Sequence, residues 1–313
     1  MEVKEWKYED FPEFDESVEG AVVLDTTGDE TGSHYTGQHV EYVNENGVPL
    51  HMEIITPFTR NNPEGVYPCV VFVQGSAWME QDVPSQLPLL ARLAERGYVV
   101  AIVEYRHSGI APYPAQAVDA RNAIRYIRVH AGELHVDPDQ MILSGDSSGG
   151  HTAMFGGLLH NDDTKENHFP GISAEVNGII NFYGSVSVLF DGANPSTLNY
   201  KLPNSPEGME MGGANLRERK DLCEELSVEC HINEDTDIAP VLIFHGTKDR
   251  TVHTRQSVDL YRKMKAVGKK VQLYLVKGGD HGGAEFWTPE ILDIVDAFIK
   301  DCFKEIKVDG RCR

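Results

Sequence analysis

The sequence predicts an α/β domain built on a mostly parallel sheet of about eight strands, with helices on both faces and one long insertion. Two observations carry this expectation. From residue 68 onward, short continuous apolar runs alternate with stretches at helical spacing, as strands buried on both faces require. Ahead of them, Asn46-Gly47 lies between two alternating segments and marks a hairpin, so the sheet opens with an antiparallel pair.

Taken in order, residues 1–37 are acidic with interspersed aromatics (Trp6, Tyr8, Phe11, Phe14) and are expected to form an N-terminal arm without a motif of its own. The hairpin follows as His39 to Val43 and Val48 to Thr56, with Leu50, Met52 and Ile54 on one buried face. The apolar runs are Val70 to Val73, Tyr98 to Val103, Met141 to Leu143, Val176 to Phe182, Val241 to Phe244 and Val271 to Val276. Ala117, Ala120, Ile124 and Ile127 recur at helical spacing, as do Leu260, Met264 and Val267 before Gly268, which is placed to end that helix. The last helix has Thr288 as its cap, Pro289 at its first position and Ile291, Ile294, Val295, Phe298 and Cys302 along one stripe. Residues 185–238, rich in Pro, Gly, Asn and Glu, are too long for an ordinary connection. They read as a lid or cap inserted in the 38–313 domain, the commoner of two explanations beside a disordered insert, with one helix from about Ala214 to Leu226.

Composition narrows the function. With 313 residues, 41% of them hydrophobic and 25% charged, the chain can bury one large core. Its 49 acidic and 28 basic residues leave a formal charge of -21, which repels phosphate backbones and anionic membrane surfaces. Nucleic acid and membranes are therefore not expected partners, and neutral or weakly charged substrates are. The charged opening (Glu2, Lys4, Glu5, Lys7) lacks an apolar leader, and a removed signal peptide would leave no trace. Cys69, Cys223, Cys230, Cys302 and Cys312 have neither CxxC spacing nor a disulfide pattern, so reduced thiols in a cytoplasmic protein and no structural metal are expected. Oligomeric state is not legible.

The chemistry lies in Gly145-Asp146-Ser147-Ser148-Gly149, which follows the strand Met141 to Ser144 and opens a helix ending near Leu159. A tight strand-to-helix turn with glycine two residues before and after the serine is a nucleophile elbow, which holds the hydroxyl above the sheet. Reading Ser148 as the nucleophile would put Asp146 and Gly150 at the flanking positions and break the glycine rule. A serine hydroxyl needs a histidine to take its proton and a carboxylate to orient that histidine. In this architecture they follow in the order acid, then histidine, past later strands. Asp249, in His245-Gly246-Thr247-Lys248-Asp249, and His281, in Gly278-Gly279-Asp280-His281-Gly282, each lie five residues beyond a strand. Asp280 is a rival acid, but neighbouring side chains in an extended loop point apart. His151 and His245 are rival bases on elements that do not reach Ser147. The loop Val73-Gln74-Gly75-Ser76-Ala77-Trp78 supplies candidate oxyanion donors, the amides of Ser76 and Ala77, beside that of Ser148.

These segments, together with Tyr105-Arg106, Tyr113-Pro114-Ala115-Gln116 and Asp119, resemble the esterase/lipase branch of the α/β hydrolases over about residues 38–303. Within that branch the chain is similar to bacterial bifunctional acetylxylan and feruloyl esterases. The resemblance implies the α/β-hydrolase fold and cofactor-free, metal-free hydrolysis of carboxylic esters. It also implies small acyl groups or aromatic acyl groups on plant polysaccharide as substrates. One departure is Gln74-Gly75-Ser76-Ala77 where the family has His-Gly-Gly-Gly; the main-chain amides survive, and the bulkier side chains reshape the acyl pocket. An amidase or peptidase uses the same triad and stays open as an alternative. A non-catalytic interaction protein on this scaffold would be expected to lack a triad member, and none is missing.

Overall fold

The computed structural model describes residues 4–159, 165–189 and 195–308. Eight strands, β1 (Thr31–Glu45), β2 (Val48–Thr59), β3 (Tyr67–Val73), β4 (Val99–Val103), β5 (Val136–Asp146), β6 (Gly178–Phe182), β7 (Val241–Gly246) and β8 (Val271–Val276), form one sheet in the order β1-β2-β4-β3-β5-β6-β7-β8. β1 with β2 and β2 with β4 are antiparallel, and every other pair is parallel. This is the α/β-hydrolase fold, and all six apolar runs fall on the parallel strands.

Seven helices accompany the sheet among the described residues: α1 (Leu87–Ala94), α2 (Ala115–Val129), α3 (Ser148–Leu158), α4 (Pro206–Glu210), α5 (Lys220–Leu226), α6 (Arg255–Ala266) and α7 (Pro289–Val308). One core layer packs Val71, Val73 and Leu143 against Ala120, Ile124, Phe155, Leu260 and Met264. The other packs Val70, Phe72, Ile142 and Phe244 against Leu90, Val295 and Phe298. Successive side chains of β3 thus enter opposite layers, which is why its run reads as apolar without alternation. The loop after β4 is held to α2 by a buried ion pair. Arg106 Nη2 donates to Asp119 Oδ1 at 2.8 Å, and the Arg106 amide donates to Asp119 Oδ2 at 2.8 Å.

Two boundaries differ from the sequence reading. β1 begins at Thr31, because residues 31–37 pair with 54–59 of β2. As an edge strand with none of this stretch buried, it carries little alternation to announce itself. The helix expected from about Ala214 to Leu226 is confined to Lys220–Leu226, after a separate short helix at Pro206–Glu210. Gly212 and Gly213 stand between the two with φ of 73° and 79°, a left-handed conformation that ends a helix. Cys69, Cys223 and Cys302 are buried and Cys230 is exposed, while Cys312 lies outside the described residues.

Candidate active site

The turn from β5 into α3 places Ser147 at φ 53° and ψ −124°, a strained conformation for a residue with a side chain. Both flanking glycines are sterically required. A Cβ on Gly145 would run into the carbonyl of Gly149, and one on Gly149 into the carbonyl of Val73. The Ser147 amide donates to Phe182 O at 3.0 Å and the Ser185 amide donates to Ser147 O at 3.3 Å, so neighbouring strands and loops hold the strained turn.

The three separated side chains meet. Ser147 Oγ lies 2.8 Å from His281 Nε2, and His281 Nδ1 lies 2.8 Å from Asp249 Oδ2. With Nδ1 facing a carboxylate, the Nδ1-protonated tautomer is favoured, which leaves Nε2 to accept the serine proton. Asp249 Oδ1 accepts from the amides of Thr251 (2.9 Å) and Val252 (2.7 Å). Burial works against the Asp249 anion, but hydrogen bonds from His245 and His281 outweigh it and hold the carboxyl well below the usual carboxylate range.

The β7 and β8 loops are locked together. The Thr247 amide donates to Val276 O at 3.0 Å and the Lys248 amide to Gly279 O at 2.9 Å. Gly246 lies so close to the Gly279 carbonyl that no Cβ fits. The rivals have other work. Asp280 accepts from the Arg250 amide (3.0 Å) and from Arg250 Nε (2.7 Å) on the surface. His245 is fully buried behind the acid, with Nε2 2.8 Å from Val252 O and 3.2 Å from Asp249 Oδ2, and Nδ1 2.7 Å from Ser257 Oγ. The carbonyl only accepts, so Nε2 carries the proton and Ser257 donates to Nδ1. His151 is 3.0 Å from the Leu226 carbonyl, and burial pushes its pKa down to about 4, so it is neutral at pH 7.

On the oxyanion side, Ser76 to Met79 form a tight turn, with the Met79 amide donating to Ser76 O at 3.0 Å. Its central residues Ala77 and Trp78 both have positive φ, 56° and 55°. Trp78 is 1% exposed and anchors the turn. Gly75 passes so close to Asp146 O and Ser147 Cβ that it tolerates no side chain, and its amide donates to Asp146 Oδ1 at 2.7 Å. Among the expected donors, Ser148 is the first residue of α3, where the amide has no intrahelical acceptor. The Ser76 amide instead donates to Ser148 Oγ at 2.9 Å, a departure from the sequence reading. Its cause is the second serine of the elbow, whose hydroxyl is within reach of that loop.

Two tyrosines escaped the sequence reading of the site. Tyr105 Oη lies 2.9 Å from Ser76 Oγ and 3.2 Å from Ser148 Oγ. Tyr183, at φ 42°, sets its ring against His281 with centroids 5.0 Å apart and donates to Asp146 Oδ2 at 3.4 Å. A tyrosine just past a strand carries no signal of its own, although Tyr105-Arg106 is part of the motif behind the resemblance.

Sheet order, elbow and relay together define an α/β hydrolase with a Ser-His-Asp constellation. The chain belongs to the BD-FAE family, whose model matches residues 52–264. It is 27% identical over 213 residues to the probable carboxylic ester hydrolase LipM of Mycobacterium tuberculosis, covering 67% of this chain and 48% of LipM. The chain therefore spans about half the length of that curated relative. Among solved structures, it is similar to an esterase of Thermogutta terrifontis, at TM-score 0.66 and 26% identity over 84% of this chain and 91% of that one. A truncated carbohydrate esterase from gut microbiota shares the fold at TM-score 0.74 and 23% identity, over 88% of this chain and 98% of that one.

Proposed function

We propose that this chain is a serine carboxylic-ester hydrolase that works through an acyl-enzyme. The observation that carries the reading is the continuous relay from Ser147 Oγ to His281 to Asp249, both links 2.8 Å long. Ser147 Oγ attacks the ester carbonyl as His281 Nε2 takes its proton. The amides of Ala77 and Ser148 stabilise the oxyanion, and His281 returns the proton to the leaving alcohol. Water then repeats the sequence on the acyl group. No step calls for a cofactor or metal.

Small acyl esters and aromatic acyl esters of plant polysaccharide are the substrates this reading favours. Support comes from the resemblance to acetylxylan and feruloyl esterases and from the carbohydrate-esterase name of one structural neighbour. The reading of segment 185–238 as a lid is supported by two contacts of its described residues near the elbow, the Ser185 amide donating to Ser147 O and the Leu226 carbonyl against His151. Among the described residues, no helix is long and apolar enough to cross a membrane.

Ser147→Ala should lower kcat for 4-nitrophenyl acetate by about 10⁶-fold and abolish labelling by a fluorophosphonate, with unfolding temperature unchanged. Turnover retained by the folded variant would refute the assignment. Hydrolysis rates across an acyl-length series, acetylated xylo-oligosaccharides and feruloyl esters test the substrate class.

A further inference from the structure

A second cluster of ligand-type side chains stands at the antiparallel end of the sheet. His39 of β1, His51 of β2 and Glu104, just past β4, each offer a ligand atom, and these atoms lie within 4.8 Å of one another. We propose that they form a binding site for a borderline divalent ion of the Zn²⁺ type, separate from the Ser-His-Asp relay.

The backbone around the cluster is shaped to assemble it. β1 departs from regular pairing between Gly37 and Val40, and His39 at the break has φ 50°. A non-glycine residue there is costly, and the buried carboxylate of Glu53 offsets the cost by accepting from the His39 amide at 2.9 Å. Tyr35 Oη donates to the same carboxylate. The break lays the His39 ring over that of His51, with centroids 3.7 Å apart and planes 9° from parallel. Glu104 is clamped to β2: its amide donates to His51 O at 2.9 Å and its Oε2 accepts from the His51 amide at 2.9 Å.

Donor chemistry and spacing both suit such an ion. Two imidazoles and one carboxylate are the ligand set of borderline metals, with water completing the shell. His51 Nδ1 and Glu104 Oε2 are 3.1 Å apart. A tetrahedral ion with bonds of about 2.1 Å has donor-donor edges of about 3.4 Å, so this hydrogen-bonded pair needs only a small separation to take an ion in place of its proton. Glu53 Oε1 lies 3.7 Å from His39 Nδ1, beyond hydrogen-bond distance, and adds a second, buried carboxylate beside the cluster. Stacked rings aim their lone pairs side by side, so coordination requires the His39 ring to turn; that side chain is 64% exposed and free to do so. The formal charge of -21 favours a cation throughout. A bound ion would tie the first two strands to the residue before Tyr105, whose hydroxyl touches Ser76 and Ser148.

The test uses tag-free full-length protein stripped with a chelator. Zn²⁺ is titrated by calorimetry and by competition with a chromophoric chelator. One ion per chain at micromolar or tighter affinity is expected, with a rise in unfolding temperature. His39→Ala should weaken binding at least about tenfold and remove that rise, and His39→Ala with His51→Ala should abolish site-specific uptake. Ester hydrolysis by His39→Ala in the absence of metal confirms that the variant is folded. Uptake by the folded single and double variants equal to that of the parent, or no saturable uptake by the parent, would overturn the proposal.

Discussion

On the histidine side of Ser147, the loops after β7 and β8 pair their polar groups thoroughly. Asp249 has four hydrogen-bonding neighbours, His245 uses both ring nitrogens, and backbone bonds from Thr247 and Lys248 join one loop to the other. The oxyanion side and the 185–238 segment are built differently. There Gln74 Oε1, Trp78 Nε1, Glu207 Oε2 and both carboxyl oxygens of Glu210 are buried with no hydrogen-bond partner among the described residues. Each such group costs about 1–3 kcal/mol. The paired side holds the His281 ring in one orientation between Ser147 and Asp249. The unpaired groups lower stability around the oxyanion loop and the described part of that segment.

Breaking the paired side should have the largest consequence. Asp249→Asn removes the acceptor that fixes the His281 tautomer, and kcat for 4-nitrophenyl acetate at pH 7 should fall about 10⁴-fold. A fall of less than tenfold would mean that another carboxylate supports His281. One layer further back, His245→Leu leaves Val252 O and Ser257 Oγ unpaired and takes a donor from Asp249. Unfolding free energy should drop by about 2–3 kcal/mol in urea titrations. The lost support of the acid, at about 1.4 kcal/mol, should lower kcat about tenfold. Unchanged kcat would show that Asp249 is held without it.

The unpaired side should reveal itself in pH dependence. Burial pushes the Glu207 pKa from 4.5 up to about 7, so the folded state holds a proton that the unfolded chain releases. With more protons bound in the native state, the Glu207 contribution to stability is fully present below about pH 4.5 and is lost as pH rises to about 7, on the order of 3 kcal/mol. Glu207→Gln should reduce the slope of the unfolding free energy across that window, with buried Glu210, also raised by desolvation, retaining its own contribution, and a slope equal to that of the parent would refute the assignment. Asp280→Asn should have the smallest effect. The pair with Arg250 is exposed, so kcat should stay within about threefold of the parent. A loss approaching that of Asp249→Asn would restore Asp280 as the acid.

Much of this molecule is legible in its residue order because strands buried on both faces and a turn too tight for side chains constrain identity locally. Val70 to Val73 had to be apolar throughout, and Gly145 and Gly149 had to lack Cβ atoms. The pairing of β1 back to Thr31 and the helix break at Gly212-Gly213 were less visible, since exposed edges and insertions tolerate many residues. The redirected Ser76 amide, His245 behind Asp249 and Tyr183 against His281 could not be read from spacing, because two of these contacts join segments distant in the chain and the third depends on which way the His245 ring points.

The sequence by itself determined the strand and helix alternation, the turn at Ser147 and the positions of Asp249 and His281 past later strands, because each obeys a rule that acts within a few residues or along a strand order. Only the tertiary structure decided which amides remain for an oxyanion, which buried polar groups go unpaired, and that His39, His51 and Glu104 share one corner. Those outcomes depend on side-chain direction and on the approach of distant loops, and neither is encoded in the spacing of residues along one strand.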